Sequence, residues 1–200
     1  MKLVPNPEFR FQPPLNESPE HFLLKEVGQF FLKKKLGCSI VGTEVNSMME
    51  PDLDIRDKLS KEFFDRSIAD VVGVKFNGRK VKTIYCIEAK ASLSDFKAGF
   101  CVSGDLNYVI APVNCIPIKL LSNNVGLIEV DFNKLDWVIM AGWEKITGIK
   151  VVKRAKRIKR NLFNDDRRDW EIGVLKSIGY ALGRNRNIWF YPGYKEYQHE

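Results

Sequence analysis

Apolar and polar positions along the chain follow two periods, and the switches between them mark the elements. From Phe22 to Phe31 the apolar residues Phe22, Leu23, Val27, Phe30 and Phe31 fall at helical spacing and form one stripe. Ser18 as N-cap, Pro19 at the first helical position, Glu20 in the first turn, Lys33 to Lys35 in the last and Gly37 just beyond bound that helix. Ser39 to Asn46 alternates loosely as a strand with Glu44 near its end. Ser47 to Ser67 mixes Met48, Met49, Leu53, Ile55, Leu59, Phe63 and Phe64 with acids, and a loop leading into a helix near Asp57 to Asp65 is expected there.

Asp70 to Phe76 then reads as a strand, Asn77-Gly78 as a tight turn and Val81 to Ala91 as the return strand of a hairpin. Ser92, with Asp95 three residues on, is an N-cap signature for a helix running to about Ser103. Leu106 to Ala111 is an apolar strand stopped by Pro112, residues 113–124 a short helix and loop, Val125 to Asp131 another strand, and Leu135 to Met140 a small one. Asp166 to Leu182 carries Trp170, Val174, Leu175, Ile178, Ala181 and Leu182 at helical spacing before Gly183. Strands alternating with helices predict an α/β fold, a central mixed β-sheet flanked by helices with a C-terminal helix. One domain is expected: residues 1–17 as a proline-rich arm, 18–160 as the core, and 161–200 as the C-terminal helix and an aromatic tail that packs against the core, the alternative being stacking on unpaired bases.

Charge changes the picture. The 200 residues carry a net +7 and an isoelectric point near 9.2, which favours a polyanionic partner such as nucleic acid. The bias peaks in residues 150–160, with seven basic side chains and no acid. Lys153, Arg154, Lys156, Arg157, Lys159 and Arg160 are therefore expected to contact DNA phosphates, against the alternative of a solvated strand and loop. The four cysteines have no CxxC spacing and read as reduced thiols, and with two histidines in the chain a zinc site is not expected. Neither a leader nor a run of about 18 apolar residues is present in the sequence, so a cytoplasmic protein without a membrane partner is expected.

Chemistry concentrates at Thr83 to Lys90. On a strand, Glu88 and Lys90 share a face with Ile84 and Cys86, while Tyr85, Ile87 and Ala89 take the other. Charges ending an apolar row need a partner, a metal or solvent. The hairpin brings Asp70 close to Glu88, and two carboxylates with a lysine suit metal-assisted phosphodiester hydrolysis, since Mg²⁺ takes oxygen ligands. The competing reading is an ion pair at a strand end. Asp95-Phe96-Lys97, a second acid-x-lysine triplet, is expected to diverge on a helix surface and to play no part.

Arg66 to Asp70, Ile87-Glu88-Ala89-Lys90-Ala91-Ser92 followed by Asp95-Phe96, Tyr108 to Pro112 and Gly126 to Asp131 resemble the PD-(D/E)XK nuclease superfamily, in particular its bacterial DNA-repair-associated endonucleases. The resemblance covers residues 18–160 and implies a restriction-endonuclease-like fold and a Mg²⁺- or Mn²⁺-dependent DNA endonuclease acting in repair, recombination or mobile-element processing. It implies metal ligands at Asp70, Glu88 and the Ala89 carbonyl, a catalytic lysine at Lys90 and an auxiliary acid from the first helix, Glu20. Glu44 is the candidate second-metal ligand, against a partly exposed strand acid. The superfamily's proline is absent, because Ala69 precedes Asp70. A catalytically inactive nucleic-acid-binding module of the same fold is the alternative function, a protein-interaction module with an ion-pair cluster a third, and a homodimer is left open.

Overall fold

The computed structural model describes residues 17–46, 68–100, 102–140, 143–158 and 164–184. Residues 1–16 of the expected N-terminal arm, the 47–67 segment, Cys101, Lys159, Arg160 and the aromatic tail lie outside them.

Helix α1 spans Pro19–Phe30 and winds on as a π-helical turn, Phe31–Lys35. Ser18 caps it, its hydroxyl accepting the His21 N–H at 3.2 Å. Strands β1 (Ile40–Asn46), β2 (Ile68–Asn77) and β3 (Lys80–Ala89) form an antiparallel meander, turned at Gly78, whose φ of 58° suits the tight Asn77-Gly78 turn. A short helix α2 (Leu93–Lys97) crosses to β4 (Leu106–Pro112), which runs parallel to β3, and a single 3₁₀ turn at Ile118–Leu120 crosses to β5 (Val125–Val130), parallel to β4. A separate hairpin, β6 (Trp137–Met140) and β7 (Trp143–Ile146), precedes β8 (Ile149–Lys153), which returns antiparallel to β5. Helix α3 (Asn164–Arg184) ends the described chain. The main sheet thus has the order β1-β2-β3-β4-β5-β8, an α/β arrangement of mixed direction flanked by helices.

Side-chain alternation decides what covers each face. Tyr85, Ile87 and Ala89 of β3 join the cluster under α1, whereas Ile84 and Cys86 join the one under α3, as the period-2 reading expects. A third cluster, Phe96, Val109, Ala111, Leu121 and Leu127, sits under α2 and the β4–β5 crossover. Gly73 marks a close approach on the α1 side, where a Cβ would stand 2.9 Å from both Cys38 Sγ and Leu32 Cδ1. Helix α2 stops well short of Ser103, at Gly99, whose φ of 111° is a conformation that ends helical winding. Sequence reading also missed β7 and β8, because strands of four and five residues interrupted by lysines show little periodicity.

Near their site-proximal ends β1 and β2 keep their register while the backbone of β1 is distorted. Glu44 takes a left-handed φ of 51° at the step between the Thr43–Val71 and Val45–Ala69 pairs, level with Asp70. The consequence is a change of side: Val41 packs in the α1 cluster and Val45 in the α3 cluster. A left-handed backbone on a residue with a Cβ costs about 1–2 kcal/mol, so the surroundings must hold it.

One acid on α1 is burdened by burial. Glu26, which accepts a hydrogen bond from Gln29 at 2.7 Å, has its pKa pushed up to about 7, chiefly by desolvation. The folded state therefore keeps a proton that the unfolded state has lost between about pH 4.5 and 7, and stability falls as pH rises through that window, by up to about 3 kcal/mol. Glu26→Gln, which cannot ionise, is expected to flatten this slope. Denaturant titrations at pH 5 and pH 8 should show parent and variant diverging at the higher pH; parallel behaviour would contradict the assignment.

Candidate functional site

The C-terminal end of β3 and the start of β2 meet the N-terminus of α1 and the start of α2, because the β2–β3 hairpin is antiparallel and α2 follows β3 after three residues. They border a cleft of about 540 Å³ lined by Glu17, Ser18, His21, Lys25, Glu44, Asp70, Ala91, Ser92 and Asp95.

Asp70 is held on three sides. Its Oδ2 accepts the Ala89 N–H at 2.8 Å, its Oδ1 lies 3.4 Å from His21 Nε2, and its own N–H donates to Glu88 Oε1 at 3.3 Å. Asp70 and Glu88 are thus adjacent, as the hairpin predicts, and Glu88 is buried at 4% exposure. Lys90, also buried, reaches Asp95 Oδ1 at 3.3 Å. Asp95 is not the bystander that the sequence suggests. Its other oxygen accepts the Ala91 N–H at 3.1 Å and lies 3.8 Å from His21 Nδ1, so the N3 carboxylate of the cap turns back toward the end of β3. The Ser92-x-x-Asp95 capping pattern carried that signal, since an N3 acid reaches toward its helix's start.

A second knot lies alongside. Lys25, 7% exposed in its side chain, stands 2.6 Å from Glu17 Oε1 and 2.9 Å from Glu44 Oε1. Burial alone would lower its pKa, yet the two carboxylates raise it above the ordinary lysine value. Glu17's second oxygen is buried without a hydrogen-bond partner. The hydrogen bond to Asp70 raises the His21 pKa against the opposing effect of burial, with Glu17 adding to the rise. Glu20, the expected auxiliary acid, is exposed and does not line the cleft; Glu17, one turn nearer the chain start and just outside the helix, occupies that place. Glu44 does line it, half exposed and tied to Lys25.

The oxygen set fits a hard divalent cation in part. Asp70 and Glu88 would supply the one or two carboxylates that Mg²⁺ commonly takes alongside waters and phosphate oxygens, with the Ala89 carbonyl as the implied third ligand. Among the described residues no group of three or more His, Cys, Asp or Glu side chains is spaced to hold an ion.

The basic run does not share this cleft. β8 leaves the site end at Ile149, opposite Val130, and the chain beyond it passes under the other end of the sheet, where the Lys156 N–H donates to Asn124 O and the Ile158 N–H to Asp105 O. That lies roughly 15 Å from the Asp70–Glu88 end, at about 3.3 Å per residue along β3. Two of its cations turn inward: Lys153 donates to the carbonyls of Ser122 and Leu121 at 2.6 and 3.2 Å, and Arg157 to Thr83 Oγ1 at 2.6 Å. Arg154 and Lys156 are exposed. A buried anchor joins this region to α3. Asp105, 1% exposed, accepts the Ile84 N–H at 2.8 Å and pairs with Arg167 at 2.7 and 3.1 Å.

No family model and no curated protein matches the chain. A solved structure of a protein of unknown function from Silicibacter pomeroyi is 16% identical, the match covering 92% of this chain and 100% of that one with a TM-score of 0.49. Among the described residues no helix is long and apolar enough to cross a membrane. The site must therefore be read from its own geometry.

Proposed function

We propose that the protein is a metal-dependent DNA endonuclease of the restriction-endonuclease-like fold. The observation that carries this reading is the convergence of Asp70, Glu88 and Lys90 at one sheet end beside an open cleft, with Glu88 accepting the Asp70 N–H. Asp70, Glu88 and the Ala89 carbonyl would hold a Mg²⁺ or Mn²⁺ ion, which when bound activates water and offsets charge on the scissile phosphate. The chain's own groups do the rest. The Ala89 N–H and His21 fix the orientation of Asp70. Lys90 brings a positive charge to the bond being broken, where charge accumulates in the transition state. Its burial withholds competing water and strengthens that field.

A second reading has its own support. Asp70, Glu44 and Asp95 each face a basic side chain, so the cluster satisfies itself without a metal, as a non-catalytic nucleic-acid-binding module would. Supercoiled, linear and branched DNA incubated with the full chain in Mg²⁺, Mn²⁺ or chelator separates the two. Metal-dependent nicking of any form is expected, and binding without nicking would favour the module.

Lys90 and Asp95 are expected to act as a unit. Lys90→Ala should lower the cleavage rate at saturating DNA by roughly 10²-fold or more, the scale of losing one charge-stabilising group. Asp95→Ala should lower it by about tenfold in the parent and by less than about twofold in the Lys90→Ala background. Additive effects in that double-mutant cycle would mean Asp95 does not work through Lys90.

A further inference from the structure

The sheet has two poles of opposite charge. At the site end the cleft gathers Glu17, Glu44, Asp70 and Asp95 around Lys25 and His21, a lining in which acids outnumber cations. The other end is built from three separate stretches of chain that the fold brings side by side. The π-helical turn closing α1 exposes Lys33, Lys34 and Lys35 there, and Lys75 of β2 ties it to the hairpin by donating to Leu36 O at 2.8 Å. The hairpin tip presents Arg79, Lys80 and Lys82, all exposed. The segment after β8 presents Arg154 and Lys156, and Arg157 fastens it to the hairpin through Thr83 Oγ1 and, at 3.4 Å, Lys82 O.

Among the described residues, two acids at this end are already engaged by Arg167. Asp105 is buried and Glu171 half-buried, and both are paired to Arg167, while Asp169 is exposed beside Arg168. At about 4.8 Å per strand, the rim from β1 across to β5 runs roughly 20 Å, enough to meet about six successive phosphates on a nucleic-acid strand.

We propose that this pole, formed by the hairpin tip, the turn ending α1 and the exposed side chains of 154–157, is a polyanion-binding rim for duplex nucleic acid, separate from the cleft. Duplex is favoured over an acidic lipid surface because interfacial binding pairs cations with inserted apolar groups, and no large exposed apolar side chain of the described residues belongs to residues 75–83 or 154–158. The binding is sequence-independent, since its contacts are to phosphates. It stands whether or not the cleft is catalytic.

The test uses the full chain and a fluorescent 20-base-pair duplex, with affinity measured from 50 to 250 mM salt. Arg79→Glu, Lys80→Glu and Lys82→Glu combined are expected to weaken binding at 50 mM salt by at least about tenfold and to make the dependence of log affinity on log salt shallower by about two to three. Arg154→Glu with Lys156→Glu, on a different stretch of chain, should act in the same direction, which guards against a misfolded hairpin variant. Lys97→Glu, Lys119→Glu and Lys134→Glu impose the same change in net charge elsewhere and are expected to stay within about threefold of the parent. The rim is overturned if that control loses as much as the hairpin variant, if the parent fails to bind the duplex at 50 mM salt, or if the same residues are needed for phosphatidylserine vesicles and not for DNA. Cleavage by the same proteins bears on the cleft alone, so failure of the nuclease reading leaves this result interpretable.

Discussion

Glu88→Gln is expected to reduce metal-dependent DNA cleavage by about 10²–10³-fold or more while leaving the melting temperature within a few degrees of the parent. The two halves of that expectation come from different atoms. Glutamine keeps a carbonyl oxygen that accepts the Asp70 N–H, now bonded to Glu88 Oε1 at 3.3 Å, so no buried donor is orphaned. It also removes the desolvation cost of holding a negative charge at a position only 4% exposed. What is lost is the anionic ligand. Glu88→Ala would confuse the two effects, because it also strands the Asp70 N–H at a cost of about 1–3 kcal/mol. Cleavage assays with Mg²⁺ and Mn²⁺, run beside thermal melts, check both halves. Unchanged cleavage in the glutamine variant would remove Glu88 from the chemistry.

Asp105→Ala is expected to be the most destabilising single change, by about 3–5 kcal/mol. Truncation would leave the Arg167 guanidinium facing a buried void and the Ile84 N–H without its acceptor. Arg167 also stacks 4.4 Å over the Trp170 ring, so the loss reaches the packing of α3 on the sheet. Asn retains an acceptor for Ile84 and should cost less than Ala. Urea or guanidinium unfolding of the three proteins gives the comparison, and an alanine variant as stable as the parent would show that the buried charge contributes nothing net.

Local signals carried most of the fold. Ser18-Pro19, Asn77-Gly78 and the helical stripe from Trp170 to Ala181 each state their element within a few residues, and the structure has α1, the β2–β3 hairpin and α3 where those signals lie. Asp70 beside Glu88 followed from the hairpin alone. What failed depended on partners distant in sequence. β8 exists as a strand because β5 supplies its hydrogen bonds, and nothing in Ile149–Lys153 announces that. The basic run read as one surface, yet Lys153 and Arg157 spend their charge on backbone carbonyls, Thr83 and the neighbourhood of Asp105, contacts no charge count reveals. Glu17 in place of Glu20 is a matter of one helical turn. A residue before the N-cap leans over the cleft, whereas one in the first turn points along the exposed face of α1.

The hairpin that joins Asp70 to Glu88 also bears on the order in which the molecule can assemble. Val71 and Ile87 pair across 16 residues of chain, whereas the contact of α3 with β1, at Ile178 and Gly42, closes 136. Loop-closure entropy alone separates these by about 2 kcal/mol, so the shorter loop is the easier to close from the unfolded chain. During synthesis both halves of the Asp70–Glu88 pair leave the ribosome long before Arg167 is available to neutralise Asp105. The hairpin thus becomes available for pairing while the far end of the sheet still waits for the helix that stabilises it.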